Sequence, residues 1–269
     1  GEKPLVAEAI AEHYMPIRAG SGLPTGILGA LIGMADRLDT IAGCFGIGQK
    51  PSGVADPFGL RRQALGLIRI LADKGFNLSI NTVMAAALKL YGDKLTARDT
   101  AQEEAVNFIK GRFVNEQTGR DIPAETVEAV VSVGFDDIVD SRCRIEALHS
   151  ASHQASFPLL AGSFKRVMNI IRGHQGTDPT PALLVVAEEK QLYDNYQRIR
   201  QEAMPLLDGH NYPAAMEILL RIKEPIDLFF DKVMVMDDDL AVRNNRLNLL
   251  TAIADLFLRV GDFSKMAVG

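Results

Sequence analysis

Glu224-Pro225-Ile226-Asp227-Leu228-Phe229-Phe230-Asp231-Lys232-Val233-Met234-Val235-Met236, followed by Arg243-Asn244-Asn245-Arg246-Leu247, is the stretch that decides the fold. Its apolar residues recur at helical spacing, Ile226 with Phe229, Phe230 and Val233, and charged residues fill the opposite face. It reads as two amphipathic helices meeting at a tight acidic turn. Outward from it, the same spacing continues nearly everywhere and alternating strand patterns are scarce, so the chain is expected to be all-α with roughly ten helices. Prolines stand where helices should open: Pro57, Pro158, Pro181 and Pro213. Glycines stand where they should stop: Gly75, Gly92, Gly134, Gly173 and Gly261. Thr96-Ala97-Arg98-Asp99 resembles a capping box, with Asp in place of Glu or Gln, opening a helix expected to reach about Asn115.

Composition narrows the function classes. A chain of 269 residues, 47% of them apolar, can build one large domain or two ordinary ones. The net charge is −5 with 29 basic residues, so any nucleic-acid surface must be a local patch on an acidic protein. No apolar run reaches the roughly 18 to 20 residues of a membrane span, and no signal-peptide layout opens the chain. Cys44 and Cys143 stand far apart and form no CxxC, which argues against a disulfide framework or a zinc ribbon. A cytoplasmic location is expected. Gly1-Glu2-Lys3-Pro4 has no initiator Met and runs straight into the helical pattern of Leu5, Ala9, Ile10 and His13, as a piece of a longer chain would. The texture changes near residues 92–98, which gives expected domains of 1–95 and 96–269.

Several clusters could carry chemistry. Gly43-Cys44-Phe45-Gly46-Ile47-Gly48-Gln49-Lys50 falls short of a phosphate loop, because Gln49 separates glycine from lysine and a helix, not a strand, precedes it. His149 and His153 lie one turn apart with Glu146, but lack the Glu beside the first His that a zincin helix has, so a solvated face is expected. Asp36 and Asp39 share one face of an apolar helix and could ligate a divalent metal, as in an HD-type phosphohydrolase. The chain contains no His-Asp dipeptide to complete such a centre, and a structural use is preferred. Lys165, Asn169 and Arg172 form a stripe at i, i+4 and i+7, next to Arg166, with Phe164, Val167, Met168 and Ile171 left for the core. Cations there can meet phosphates, and Asn can read base edges. With no Trp, base stacking would fall to Tyr193, Tyr196, Tyr212 or a Phe. Arg61, Arg62 and Arg69 form a second basic cluster for which edge-of-core salt bridging is the default.

Four segments resemble the β subunit of bacterial heterotetrameric glycyl-tRNA synthetase. They are Ala9-Ile10-Ala11-Glu12-His13-Tyr14-Met15-Pro16 with Ala19-Gly20 and Leu23-Pro24; Ala35-Asp36-Arg37-Leu38-Asp39-Thr40 through Pro51-Ser52-Gly53; Asp56-Pro57-Phe58-Gly59-Leu60-Arg61-Arg62-Gln63-Ala64-Leu65-Gly66; and the C-terminal run quoted first, closing with Leu256-Phe257-Leu258-Arg259-Val260 and Asp262-Phe263-Ser264. The resemblance implies a C-terminal fragment of that subunit. Residues 1–95 would be the latter part of an HD-like helical domain, and 96–269 a helical anticodon-binding domain of the DALR type. It implies tRNA(Gly) and the synthetase α subunit, in an α2β2 assembly, as partners. ATP and Mg2+ would be used at the α subunit, with no cofactor and no catalysis in this fragment and no membrane contact. The implied tRNA contacts are Lys165, Arg166, Asn169, Arg172, Arg61, Arg62 and Arg18. Pro16-Ile17-Arg18 and Ala19-Gly20-Ser21 depart from the usual Pro-Arg and Ala-Gly-Asp of the family, so local contacts there are expected to differ.

Overall fold

The structure, a computed structural model, describes residues 1–18 and 20–266. Ala19, part of the first family-like segment, lies outside them. The described residues form helices and turns with no strand, only an isolated bridge between Ser52 and Ala55. The chain divides into two compact units, residues 1–121 with 135–142, and residues 122–134 with 143–269. The domain boundary expected near 92–98 does not coincide with this division. The helix that opens there packs on three earlier helices and belongs with them.

The first unit contains α1 (Pro4–Glu12), α2 (Ile27–Gly46), α3 (Leu60–Lys74), α4 (Ile80–Leu90) and α5 (Arg98–Thr118). α2 is its centre, packing on α1, α3, α4 and α5 through Ala30, Met34, Ile41 and Phe45, all buried. Pro57 does not open α3. It sits in the turn before it, and the Asp56 carboxylate caps the helix by accepting the N–H of Leu60 (2.8 Å) and Arg61 (3.0 Å). Gly75 closes α3 at φ +64°, in the left-handed region that suits glycine. The capping box expected at Thr96 does not form: α5 opens after Ala97 with no side-chain cap and runs to Thr118. The N–H groups of Thr96 and Ala97 instead donate to the Gly46 carbonyl at the end of α2, at 2.9 and 2.8 Å.

Arg37 organises the N-terminal turn of this unit. It is 3% exposed, and its guanidinium donates to the carbonyls of His13 (3.0 Å), Tyr14 (3.0 Å), Met15 (2.8 Å) and Gly33 (2.7 Å). Burial lowers its pKa, and four carbonyl acceptors take the place of a carboxylate partner. Only glycines fit around it. A Cβ on Gly33 would lie 2.7 Å from the His13 oxygen, and one on Gly66 would lie 2.5 Å from Arg37 Nε.

The second unit contains α6 (Ala124–Val131), most of α7 (Ile138–Ser152), α8 (Phe157–Ile170), α9 (Ala187–Asp208), α10 (Tyr212–Leu219), α11 (Lys223–Lys232) and α12 (Leu240–Leu258). Pro158 and Pro213 sit in the first turns of α8 and α10, where a missing N–H costs nothing. Pro181 opens a short 3-10 turn. The two helices read from the C-terminal run are α11 and α12, joined by the acidic segment 233–239. α12 is less amphipathic than expected: Leu249, Leu250, Ile253, Ala254 and Phe257 are buried around most of its girth, as for a central helix. Phe164, Phe257 and Phe263 form its aromatic core, with ring centroids 5.2 to 5.7 Å apart.

The segment 233–239 is pinned from inside. Arg246, on α12, pairs with buried Glu189, with Asp237 (2.7 Å) and with the carbonyl of Met234 (2.7 Å). The other oxygen of Glu189 accepts the N–H of Val185 (2.7 Å) and Val186 (3.1 Å), which caps α9.

Candidate nucleic-acid interface

Lys165, Arg166 and Asn169 are exposed on α8, whose buried residues Phe164 and Val167 fix which way that face turns. Arg172 is exposed as well, but α8 ends at Ile170, so Arg172 lies in the turn beyond it and the seven-residue stripe is not wholly helical. Gly173, at φ +81°, makes that turn possible. Among the described residues, the side chains of Lys165, Asn169 and Arg172 have no hydrogen-bond or ion-pair partner. An exposed face of this kind is available to a ligand, and phosphate oxygens match its cations.

Arg166 is held differently. Its guanidinium lies over the ring of Phe230 on α11, 4.2 Å from the centroid, a cation–π contact. Beside it opens a cleft of about 500 Å³ lined by Ile170, Phe230 and residues 233–236, where Met234 and Met236 are exposed. The cleft therefore offers a flat cation next to apolar surface. Acidic groups are near too: Asp227 accepts from Ser163 (2.6 Å) and Lys223 (2.9 Å), and Asp231 lines the same cleft. Tyr196 and Tyr212, named as stacking candidates, are buried, Tyr212 with its ring edge-on to His210, and neither is open to stack on a base, whereas Tyr193 is half-exposed. Sequence reading missed Phe230 as the partner of Arg166, since the two stand on different helices and no local spacing connects them.

The first unit brings Arg18, Arg61 and Arg62 to one concavity of about 770 Å³. α3 contributes Arg62 and Arg69, seven residues apart on one face; α5 contributes Arg112, and Arg120 comes from the turn just beyond that helix. Arg142, in the part of α7 that belongs to this unit, completes the rim. Arg61 is partly used by the fold, donating to the Gly53 carbonyl (2.7 Å) beside Asp56, and Arg69 pairs with Glu116 (2.9 Å). The salt-bridging default thus describes those two. Arg112, Arg120 and Gln117 were not singled out from sequence; Arg112 and Gln117 share α5, whereas Arg120 lies in the turn after it, where helical spacing gives no signal.

The remaining candidates resolve structurally. Asp36 and Asp39 are exposed, the Asp39 carbonyl accepts from the Tyr91 hydroxyl (3.0 Å), and burial first, then the neighbouring Asp39, pushes the Tyr91 pKa up to about 12. Among the described residues, no group of three or more His, Cys, Asp or Glu side chains is placed to hold a metal ion. His153 bonds the His149 carbonyl (2.8 Å) and the two rings meet edge to face. Gly43–Gly48 is the exit of α2, and Lys50 beyond it is engaged by Glu104 (2.5 Å). No helix among the described residues is long and apolar enough to cross a membrane.

Comparison with known proteins adds two family matches. Residues 1–132 match the family described as glycyl-tRNA synthetase beta subunit, and residues 161–260 match the DALR anticodon binding domain. The second match contains α8 from residue 161 onward, α11 and the cleft between them. Curated relatives include glycine–tRNA ligase beta subunits of Trichlorobacter lovleyi, 44% identical over 99% of this chain, and of a Geobacter species (strain M21), also 44% identical over 99%. That of Syntrophotalea carbinolica is 41% identical over 99%. The chain spans 39% of the length of each of these relatives.

Proposed function

We propose, from the premise that this chain belongs to the family of glycyl-tRNA synthetase β subunits, that it binds tRNA(Gly) and recognises the anticodon through its second unit. The observation that carries this reading is the exposed, unpaired face of Lys165, Asn169 and Arg172 beside the Arg166–Phe230 pair, within the residues that match an anticodon-binding domain. Lys165 and Arg172 supply phosphate contacts, Asn169 a base-edge contact, and the Arg166 plane with Met234 and Met236 a surface for an unstacked base. Arg18, Arg61 and Arg62 contribute further phosphate contacts in the first unit.

In this reading the chain supports glycylation of tRNA, with ATP and Mg2+ used at the α subunit of an α2β2 enzyme in the cytoplasm, and performs no chemical step itself. The 1–95 segment is then an HD-like scaffold. The rival reading, a metal phosphohydrolase built on Asp36 and Asp39, has no third ligand among the described residues to favour it.

The test is anisotropy of labelled tRNA(Gly) titrated with this chain near physiological salt, beside a transcript with an altered anticodon. Tighter binding to the native anticodon, weakened at least fivefold by Lys165→Ala with Arg166→Ala, is the expected result. Equal, salt-dependent binding of both transcripts, or no effect of the double substitution, refutes anticodon reading by this face.

A further inference from the structure

The concavity of the first unit holds more positive charge than its own carboxylates neutralise. Seven arginines line it against two acids, Asp73 and Glu116. Glu116 is taken by Arg69 and Asp73 pairs with Lys74 outside the concavity. Among the described residues, Arg18, Arg62, Arg112 and Arg120 have no carboxylate within ion-pair reach. Guanidinium groups that converge without counter-ions repel one another, and a bound anion with several oxygens relieves that repulsion.

Charge alone would suit any phosphate, but the floor and the buried polar groups are more selective. Leu65, Ile68, Ala72, Phe113 and Ile138 give the concavity an apolar base, and its volume of about 770 Å³ exceeds what inorganic phosphate fills and lies within the usual range for small-molecule sites. Gln117 is 2% exposed, lines the concavity, and its Oε1 is buried without a donor. The Arg112 Nε is likewise buried without an acceptor. Buried polar atoms are nearly always paired, so two orphans at one concavity mark groups that await a partner. An amide can pair with a base edge or a ribose hydroxyl, and the apolar floor can receive the face of a base. The residues come from α3, α5 and the turn after it, the start of α7 and the loop after α1. Asp36 and Asp39 are not among them.

We propose that this concavity is a binding site for a nucleoside phosphate: the arginines take the phosphate, the apolar floor and Gln117 take the nucleoside. The proposal deepens the role given above to Arg18, Arg61 and Arg62 and rests on that reading only in taking them as phosphate contacts. The ligand is either a free nucleotide or one unstacked nucleotide of an RNA strand, since both present the same chemistry.

Equilibrium dialysis of the full chain, near physiological salt, with the four nucleoside 5′-monophosphates, the four nucleosides, inorganic phosphate and single-stranded trinucleotides tests it. At least one monophosphate or trinucleotide binds with one-to-one stoichiometry and at least tenfold more tightly than its nucleoside and than inorganic phosphate. Arg62→Gln with Arg120→Gln, both exposed positions, weakens that binding about tenfold or more while the thermal melt stays in place. A trinucleotide at least tenfold tighter than every monophosphate, through the same arginines, assigns the site to an RNA strand, and equal affinities assign it to a free nucleotide. Inorganic phosphate binding as tightly as the monophosphates, affinity indifferent to the double substitution, or no binding by any probe at millimolar concentration overturns the proposal. Titrating tRNA(Gly) alongside separates the two readings, because tRNA binding that survives the loss of mononucleotide binding leaves the second-unit interface standing.

Discussion

Glu189→Ala should be among the most damaging single substitutions in the second unit. Glu189 is 0% exposed and holds the guanidinium of Arg246, whose side chain is 4% exposed. Removing one partner of a buried ion pair leaves the other charge uncompensated, at a cost of about 3–5 kcal/mol. Arg246 keeps the Met234 carbonyl and Asp237, which moves the charge contribution toward the lower end. The N–H groups of Val185 and Val186 lose their acceptor as well, and an unmet N-cap costs about 1 kcal/mol. The sum is about 4 kcal/mol. At about 2–4 °C per kcal/mol for a unit of this size, it corresponds to a fall in melting temperature of roughly 8–16 °C. Urea unfolding followed by circular dichroism measures it, with amide exchange of α12 locating the loss. Arg246→Met and the double variant complete a cycle in which the pair should couple by more than about 1 kcal/mol. A cost for Glu189→Ala below about 1 kcal/mol, or an additive cycle, would refute the argument and show that the 233–239 segment is held by other contacts.

Gly66→Ala places a methyl 2.5 Å from Arg37 Nε and should cost about 1–3 kcal/mol in thermal unfolding of the first unit, whereas the same change at open Gly111 should cost nothing and slightly stabilise the helix. Arg166→Lys keeps the charge but loses the flat contact with Phe230, so tRNA affinity should fall about twofold to fivefold with an unchanged salt slope. Four carboxyls are held below their usual pKa: Glu12 by the Thr25 hydroxyl and the Thr25 and Gly26 N–H groups, Glu104 by Lys50 and Thr100, Asp237 by the Asp239 N–H and Arg246, and Asp136, against its own desolvation, by Ser79 and Asn81. A depressed folded-state value contributes stability above the unfolded-state value and loses it as pH falls through the folded one. Melting temperature should therefore be flat with respect to these groups above about pH 5 and fall from about pH 4 downward, and Asp136→Asn should make the fall shallower.

Local signals carried well from sequence to structure, and non-local ones did not. The all-α class followed from apolar periodicity, and the prolines of α8 and α10 and the glycine after α3 stand where helix chemistry wants them. The boundaries that failed depended on distant partners. α5 is started by the Gly46 carbonyl, fifty residues earlier, so the box at Thr96 had nothing to do. Arg172 looked helical because periodicity does not register a helix that stops two residues short. The basic face of α8 was legible because its core residues are its own neighbours. The concavity of the first unit was not, because its arginines come from four stretches of chain that only folding assembles.

The buried Arg37 has a consequence for how this family varies. Its guanidinium occupies the space that side chains at positions 33 and 66 would need, so the three sites form one heritable unit. A lineage that replaces Arg37 with a shorter residue frees Gly66 to drift, and frees Gly33 once the His13 carbonyl, no longer held by the guanidinium, moves away. One that first acquires a larger residue at 33 or 66 must already have given up the arginine, along with its hold on residues 13–15. Among diverged sequences, arginine at this position should therefore coincide with glycine at both others, and the glycines should be lost only where the arginine is gone.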